Sequence, residues 1–240
     1  MHCPCEIRAG DIAKPSTIYG ASLIMNYPTS FVAGRKPRFA PQAQARLEQV
    51  VIDIFSRADF HNISIRDVAR QAKVSLHTIY QHYGSKEGLL FHMVDKRLSV
   101  LTSIMSDHLR GMEDIKEKLR KVFWLQLDYY ECNPDVGRII WMTVPLKTWM
   151  ADPTFAQKKM IGIFMEVLRQ GQQEGILNSE VPAGMLLDVL HGLVQRTFFM
   201  WIYRGQKESL TKQANILFEL LWRAIVDPDR RVQASETDGH

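Results

Sequence analysis

The sequence predicts an all-α protein: a compact three-helix unit within residues 42–92, followed by a larger helical domain over 93–227. Three observations predict it. From Pro41 onward, apolar residues recur at helical spacing with few interruptions. No run of strict apolar–polar alternation bounded by turn residues argues for a strand. Serines that can cap helices stand at 64, 75 and 85, so three helix starts fall within about twenty residues.

Residues 1–41 mix Gly, Pro, Ser and Thr with scattered apolar residues and end in the basic run Gly34-Arg35-Lys36-Pro37-Arg38-Phe39. They are expected to be a disordered or arm-like extension, whose basic run either lies along DNA phosphates or in a minor groove or, more simply, is a solvated tail. Met25 could also be the true start. The first helix follows from Leu47, Val50, Val51, Ile54 and Phe55, an amphipathic stripe ended near Ala58 to Phe60. Ser64 can then accept from the backbone N–H of Asp67 while the Asp67 carboxylate reaches back, a capping box, with Ile65, Val68, Ala69 and Ala72 facing inward. The turn Ala72-Lys73-Val74 is too short for side-by-side helices, so the next one, capped by Ser75, must cross the last steeply.

On that helix Ile79 and Tyr83 share the inner face, leaving Leu76, His77, Thr78, Tyr80, Gln81 and His82 mostly outward. Hydrogen-bonding side chains on the first turns of an exposed helix are what major-groove reading requires. Lys86, beside the amides opened by Ser85, suits a phosphate oxygen. Tyr80 and Tyr83 could instead be core aromatics, and Lys86 a solvated lysine. His77 and His82 have no acidic or cysteine partner at ligand spacing and read as hydrogen-bonding groups, so no metal site is expected.

The ungapped block Ile65, Val68, Ala69, Ala72, Val74, Ser75, Thr78, Ile79, Tyr80, His82, Tyr83, Ser85, Lys86, Glu87 and Leu89 resembles the DNA-binding domain of the tetracycline-repressor (TetR) family of bacterial regulators. Two residues depart from the pattern: Lys73 and His77 stand where the family usually has glycine. The resemblance implies that Thr78, Tyr80, His82 and Lys86 touch phosphates or position the helix, that Leu76, His77 and Gln81 face bases, and that Arg66 approaches the DNA. Ser64 and Ser75 complete the expected interface as caps.

Leu90, Met93, Val94, Leu98, Leu101 and Met105 mark a longer helix that links this unit to the second domain. Five further helices are expected near 114–131, 134–149, 153–174, 182–204 and 209–226, before a polar tail over 228–240. The helix over 182–204 is apolar around nearly its whole circumference, which in a soluble protein means burial on two sides. By resemblance, it and the last helix form a four-helix homodimer interface. Trp124, Trp141, Met142, Trp149, Phe155, Met160, Phe164 and Met165 read as core residues or as the wall of a cavity for a hydrophobic small-molecule effector. His191 and Gln195, one turn apart, are either polar groups that orient such a ligand or a satisfied core pair.

Composition agrees with this division. The 240-residue chain carries a net charge of only +4, but residues 1–97 hold 13 Lys and Arg against 8 Asp and Glu. The basic excess lies with the DNA-reading end. No stretch reaches the roughly 18 apolar residues of a membrane span, and no signal peptide is evident, so a cytoplasmic protein is expected. Cys3, Cys5 and Cys132 are too few for a disulfide framework and suit a reducing compartment, and His2 with Cys3 and Cys5 reads as an incidental tail. No Gly-rich phosphate loop, His-Glu-x-x-His or Gly-x-Ser-x-Gly motif is present, so neither an enzyme nor a cofactor is expected. The expected function is a DNA-binding regulator, most simply a repressor released from a near-palindromic double-stranded operator by an effector. The alternative is a helical ligand- or partner-binding protein with a degenerate helix-turn-helix.

Overall fold

The computed structural model of the protein describes residues 40–150 and 157–229. The N-terminal arm with its basic run, Met25, Cys3 and Cys5, and also Phe155 and the polar tail beyond Asp229, lie outside the described residues.

Helix α1 (Pro41–Arg57) begins with proline at its first position, where the missing N–H costs nothing, and buries Leu47, Val51 and Phe55. A 3-10 turn (Phe60–Asn62) leads into α2 (Ile65–Ala72) and α3 (Leu76–Tyr83). Val68, Ala72 and Ile79 are fully buried, so these short helices are held by packing rather than by intrinsic propensity. The cap of α2 differs from the expected capping box. Ser64 Oγ accepts from the N–H of Arg66, and the Asp67 carboxylate pairs with Arg70 at 2.5 Å instead of reaching back. The turn after α2 places Lys73 in the left-handed region at φ 52, where its N–H donates to the carbonyls of Ala69 and Arg70. A glycine would adopt this conformation without strain.

Helix α4 (Lys86–Leu109) runs from this unit into the second domain. Buried Glu48 of α1 ties the two together, receiving Lys96 at 2.6 Å and Arg97 at 2.7 Å. The second domain contains α5 (Ile115–Cys132), α6 (Pro134–Arg138), a π-helical turn (Ile139–Thr143), α7 (Leu146–Met150), α8 (Gln157–Gln173), α9 (Ala183–Tyr203) and α10 (Leu210–Ile225). The single helix expected over 134–149 is thus three pieces, because Val144 is extended and the chain turns at Pro145. Gly137 of α6 lies so close to Phe198 of α9 that a Cβ there would stand 2.5 Å from the ring. Phe198 in turn packs against Tyr130 and Trp141.

Of α9, Leu186, Leu187, Leu190, Val194, Phe198 and Trp201 are buried within the chain, while Met185 and Val189 remain exposed. Ile216 and Leu220 of α10 are exposed as well. The described residues contain no strand ladder, only an isolated antiparallel bridge between Leu177 and Val226.

Candidate nucleic-acid interface and effector cavity

Ser75 starts α3 by accepting from the Thr78 N–H at 3.0 Å, and its hydroxyl also meets that of Thr78 at 2.6 Å. Both hydroxyls are therefore committed to the cap, which fixes the angle at which α3 leaves the turn. His77, Tyr80 and Gln81 are exposed on one face, with Tyr80 47% exposed, and Leu76, Thr78 and His82 are half-buried at its edges. Arg66 is exposed on α2. Tyr83 turns the other way and packs on His92 with ring centroids 5.2 Å apart.

Lys86, expected on a phosphate, has its ammonium turned inward. It donates to the Phe60 carbonyl at 2.8 Å and the Ile63 carbonyl at 3.2 Å, and it lies 4.3 Å from the centre of the Phe60 ring. The Phe60 carbonyl also accepts from the Ile63 N–H at 3.3 Å, so the lysine ties together both ends of the 3-10 turn before α2 and braces the start of the reading unit. The sequence gives no local sign of this, since the acceptors lie 23 and 26 residues upstream.

In the second domain, α5, α7, α8 and α9 surround a cleft of about 270 Å³. Its walls are mainly apolar: Tyr130, Ile140, Trp141, Val144, Trp149 and Met160. On one side stand three polar residues, Gln126, His191 and Gln195. Of the residues expected to touch an effector, Trp141, Trp149, His191 and Gln195 come together here. Phe164 does not line the cleft. It is fully buried in the core and meets the His191 ring edge-on at 5.2 Å. Trp124 is half-buried beneath Lys121, and Met142 is exposed. Gln126, which sequence reasoning missed, is 1% exposed, and its Nε2 lies 3.4 Å from Nε2 of His191.

Burial pushes the His191 imidazole down to about 4, against the weaker opposing pull of Asp188, so the ring is neutral near pH 7. Burial, reinforced by Tyr129, pushes the Tyr130 phenol above its usual range. The cleft wall is thus electrically neutral among the described residues. It also touches the DNA-reading unit. Trp149 stacks on Phe91 of α4 with centroids 4.8 Å apart, and Thr143 donates to the Phe55 carbonyl of α1 at 2.6 Å. Tyr129 donates to the Arg97 carbonyl of α4 at 3.0 Å. The described residues include no group of His, Cys, Asp or Glu suited to a metal ion, and none of their helices is long and apolar enough to cross a membrane.

Residues 52–93 match the family model of bacterial regulatory proteins of the tetR family, and residues 94–224 match that of the C-terminal region of YsiA-like protein. The fatty acid metabolism regulator protein of Bacillus subtilis (strain 168) is 19% identical over 176 residues, 72% of this chain and 91% of its own length. An HTH-type transcriptional repressor of Streptomyces coelicolor is 23% identical over 157 residues, 62% of this chain and 76% of its own. The structure of the transcriptional regulator FadR from Bacillus subtilis in complex with stearoyl-CoA shares this fold. It superposes with a TM-score of 0.66 at 19% identity, over 74% of this chain and 97% of that one. The ketosteroid transcriptional regulator KstR2 of Mycobacterium tuberculosis superposes with a TM-score of 0.61 at 16% identity, over 79% and 97% of the two chains. With the reading unit and the helical domain each matched, the chain belongs to the tetR family of bacterial regulatory proteins, as a DNA-binding transcriptional regulator.

Proposed function

We propose that the protein is a homodimeric cytoplasmic repressor that leaves a near-palindromic operator when a small, mainly apolar effector enters the cleft. The observation that carries this reading is the continuity between the two sites. The cleft wall residue Trp149 is stacked on Phe91 of the helix that opens directly after the recognition helix. An effector that binds one pose of α4 better than another shifts the population toward it, and only that difference in affinity can do so. A coupling of about 2.7 kcal/mol gives a roughly hundredfold loss of operator affinity.

The exposed apolar side chains of α9 and α10, Met185, Val189, Ile216 and Leu220, support a second copy docked on that face. Such a dimer would present two recognition helices about one DNA turn, roughly 34 Å, apart. On DNA, His77, Tyr80 and Gln81 are the side chains with free reach toward base edges and phosphates, with Arg66, Leu76, Thr78 and His82 flanking them.

Selection of duplexes from a randomised library by the purified protein, beside a Tyr80→Ala, Gln81→Ala variant, tests the reading. A palindromic motif enriched only by the unaltered protein is expected. No enrichment in low salt would sink the operator claim and favour a helical sensor whose helix-turn-helix no longer reads DNA.

A further inference from the structure

Gln126 is almost completely buried, yet its amide oxygen has no hydrogen-bond partner among the described residues. A buried carbonyl oxygen left bare costs about 1–3 kcal/mol, a cost the ligand-free protein already carries and that a ligand bringing a donor to that atom would recover. The nitrogen end of the same amide faces His191 at 3.4 Å, and with the unprotonated ring nitrogen accepting from it the oxygen is the end left for a ligand. An anionic ligand is disfavoured on a separate ground. No described residue lining the cleft carries a formal charge, and the His191 ring is neutral near pH 7, so an entering carboxylate or phosphate would lose its hydration with no cation to replace it. At about 270 Å³ the cleft also sits just below the range that holds drug-sized ligands, which points to a compact molecule.

We infer that the effector is a compact, uncharged, hydroxylated apolar compound whose O–H donates to Oε1 of Gln126 while its body packs between Trp141, Trp149 and Met160. This assignment rests on the reading of the cleft as the effector site.

Isothermal titration of the full-length protein with para-butylphenol, its methyl ether, para-butylbenzoate and stearoyl-CoA tests it. The phenol should bind at least about tenfold more tightly than the ether, which lacks the donor, and than the benzoate, which carries a charge. In Gln126→Leu the phenol and the ether should bind alike. A phenol that does not bind, a benzoate or stearoyl-CoA that binds more tightly than the phenol, or a phenol preference that survives in Gln126→Leu would each overturn the assignment. If Gln126→Leu melts early, Gln126→Met serves, and the comparison of phenol and ether in the unaltered protein decides without any variant. Operator binding followed in parallel separates the two readings. Phenol binding without operator release counts against the effector-controlled repressor alone, whereas operator release by stearoyl-CoA with no response to the phenol counts against this assignment alone.

Discussion

Replacing Lys86 with methionine separates a phosphate contact from an internal brace. The substitution keeps an apolar stem of similar length and removes the ammonium. In the structure that ammonium donates to the carbonyls of Phe60 and Ile63 at 2.8 and 3.2 Å and stands 4.3 Å from the Phe60 ring centre. A hydrogen bond from a charged donor contributes about 1.5–3 kcal/mol and an exposed cation–π contact about 0.5–1 kcal/mol. Because the site is only part-buried and water can reach the freed carbonyls, Lys86→Met should cost about 2–4 kcal/mol in all. Urea unfolding followed by tryptophan fluorescence reads that loss. The same variant, titrated onto operator DNA at several salt concentrations, reads the alternative: a phosphate contact given up lowers the salt slope by about 0.9. The geometry predicts a clear loss of stability with a nearly unchanged slope. Unchanged stability with a slope lower by about one unit would refute the brace and restore the phosphate contact.

Lys73 holds a left-handed backbone at φ 52 while exposed, so Lys73→Gly should stabilise the fold by about 1 kcal/mol in urea unfolding. Lys73→Ala, which keeps a Cβ, should not; equal effects of the two would show that the lysine charge, not the backbone, sets stability there. His191 has its pKa lowered from 6.5 to about 4, so the unfolded chain takes up the proton first. Its contribution to stability is complete above about pH 6.5, falls as the pH drops toward about 4, and reaches at most about 3 kcal/mol. His191→Gln should flatten that part of the stability profile, and a slope that persists would assign it to other groups. Trp149→Leu removes the stack on Phe91, worth about 0.5–1.5 kcal/mol, while keeping an apolar side chain. Operator affinity without effector should change by less than about threefold, and effector-driven release should weaken by about fivefold in fluorescence anisotropy. Undiminished release would route the signal through Thr143 and Phe55 instead.

The DNA-reading unit was legible because its information is local. Leu47, Val51 and Phe55 announce the buried stripe of α1 by their spacing alone, and Ser75 announces the start of α3 by a cap that reaches only three residues ahead. What escaped depends on chain segments far apart. Gln126 falls on the apolar stripe of α5, one turn from Phe123 and Tyr130, but nothing near it in the chain shows its partner, which the packing of α9 supplies by placing His191 against it. Lys86 reads as surface because the carbonyls it braces belong to another element. The π-helical turn Ile139–Thr143 has no residue-type signature, since its apolar run Ile-Ile-Trp-Met suits an ordinary helix equally well. It ends where the Thr143 hydroxyl donates to the Phe55 carbonyl, 88 residues upstream. Phe164 was drawn to the cavity by its aromatic character, although aromatic residues at helical spacing more often fill a core, as it does.

The bare Cα of Gly137 against the Phe198 ring gives this sensor an indirect dial on its own selectivity. A single added methyl at that position would have to be absorbed by Phe198, whose ring packs against Trp201 and against Tyr130 and Trp141, two residues of the cleft wall. Such a change would reshape the cleft without substituting any residue that lines it or that faces DNA. Inducer preference could therefore drift during evolution, or be retuned when the protein is engineered as a biosensor, from a position that no comparison of ligand-contacting residues would flag.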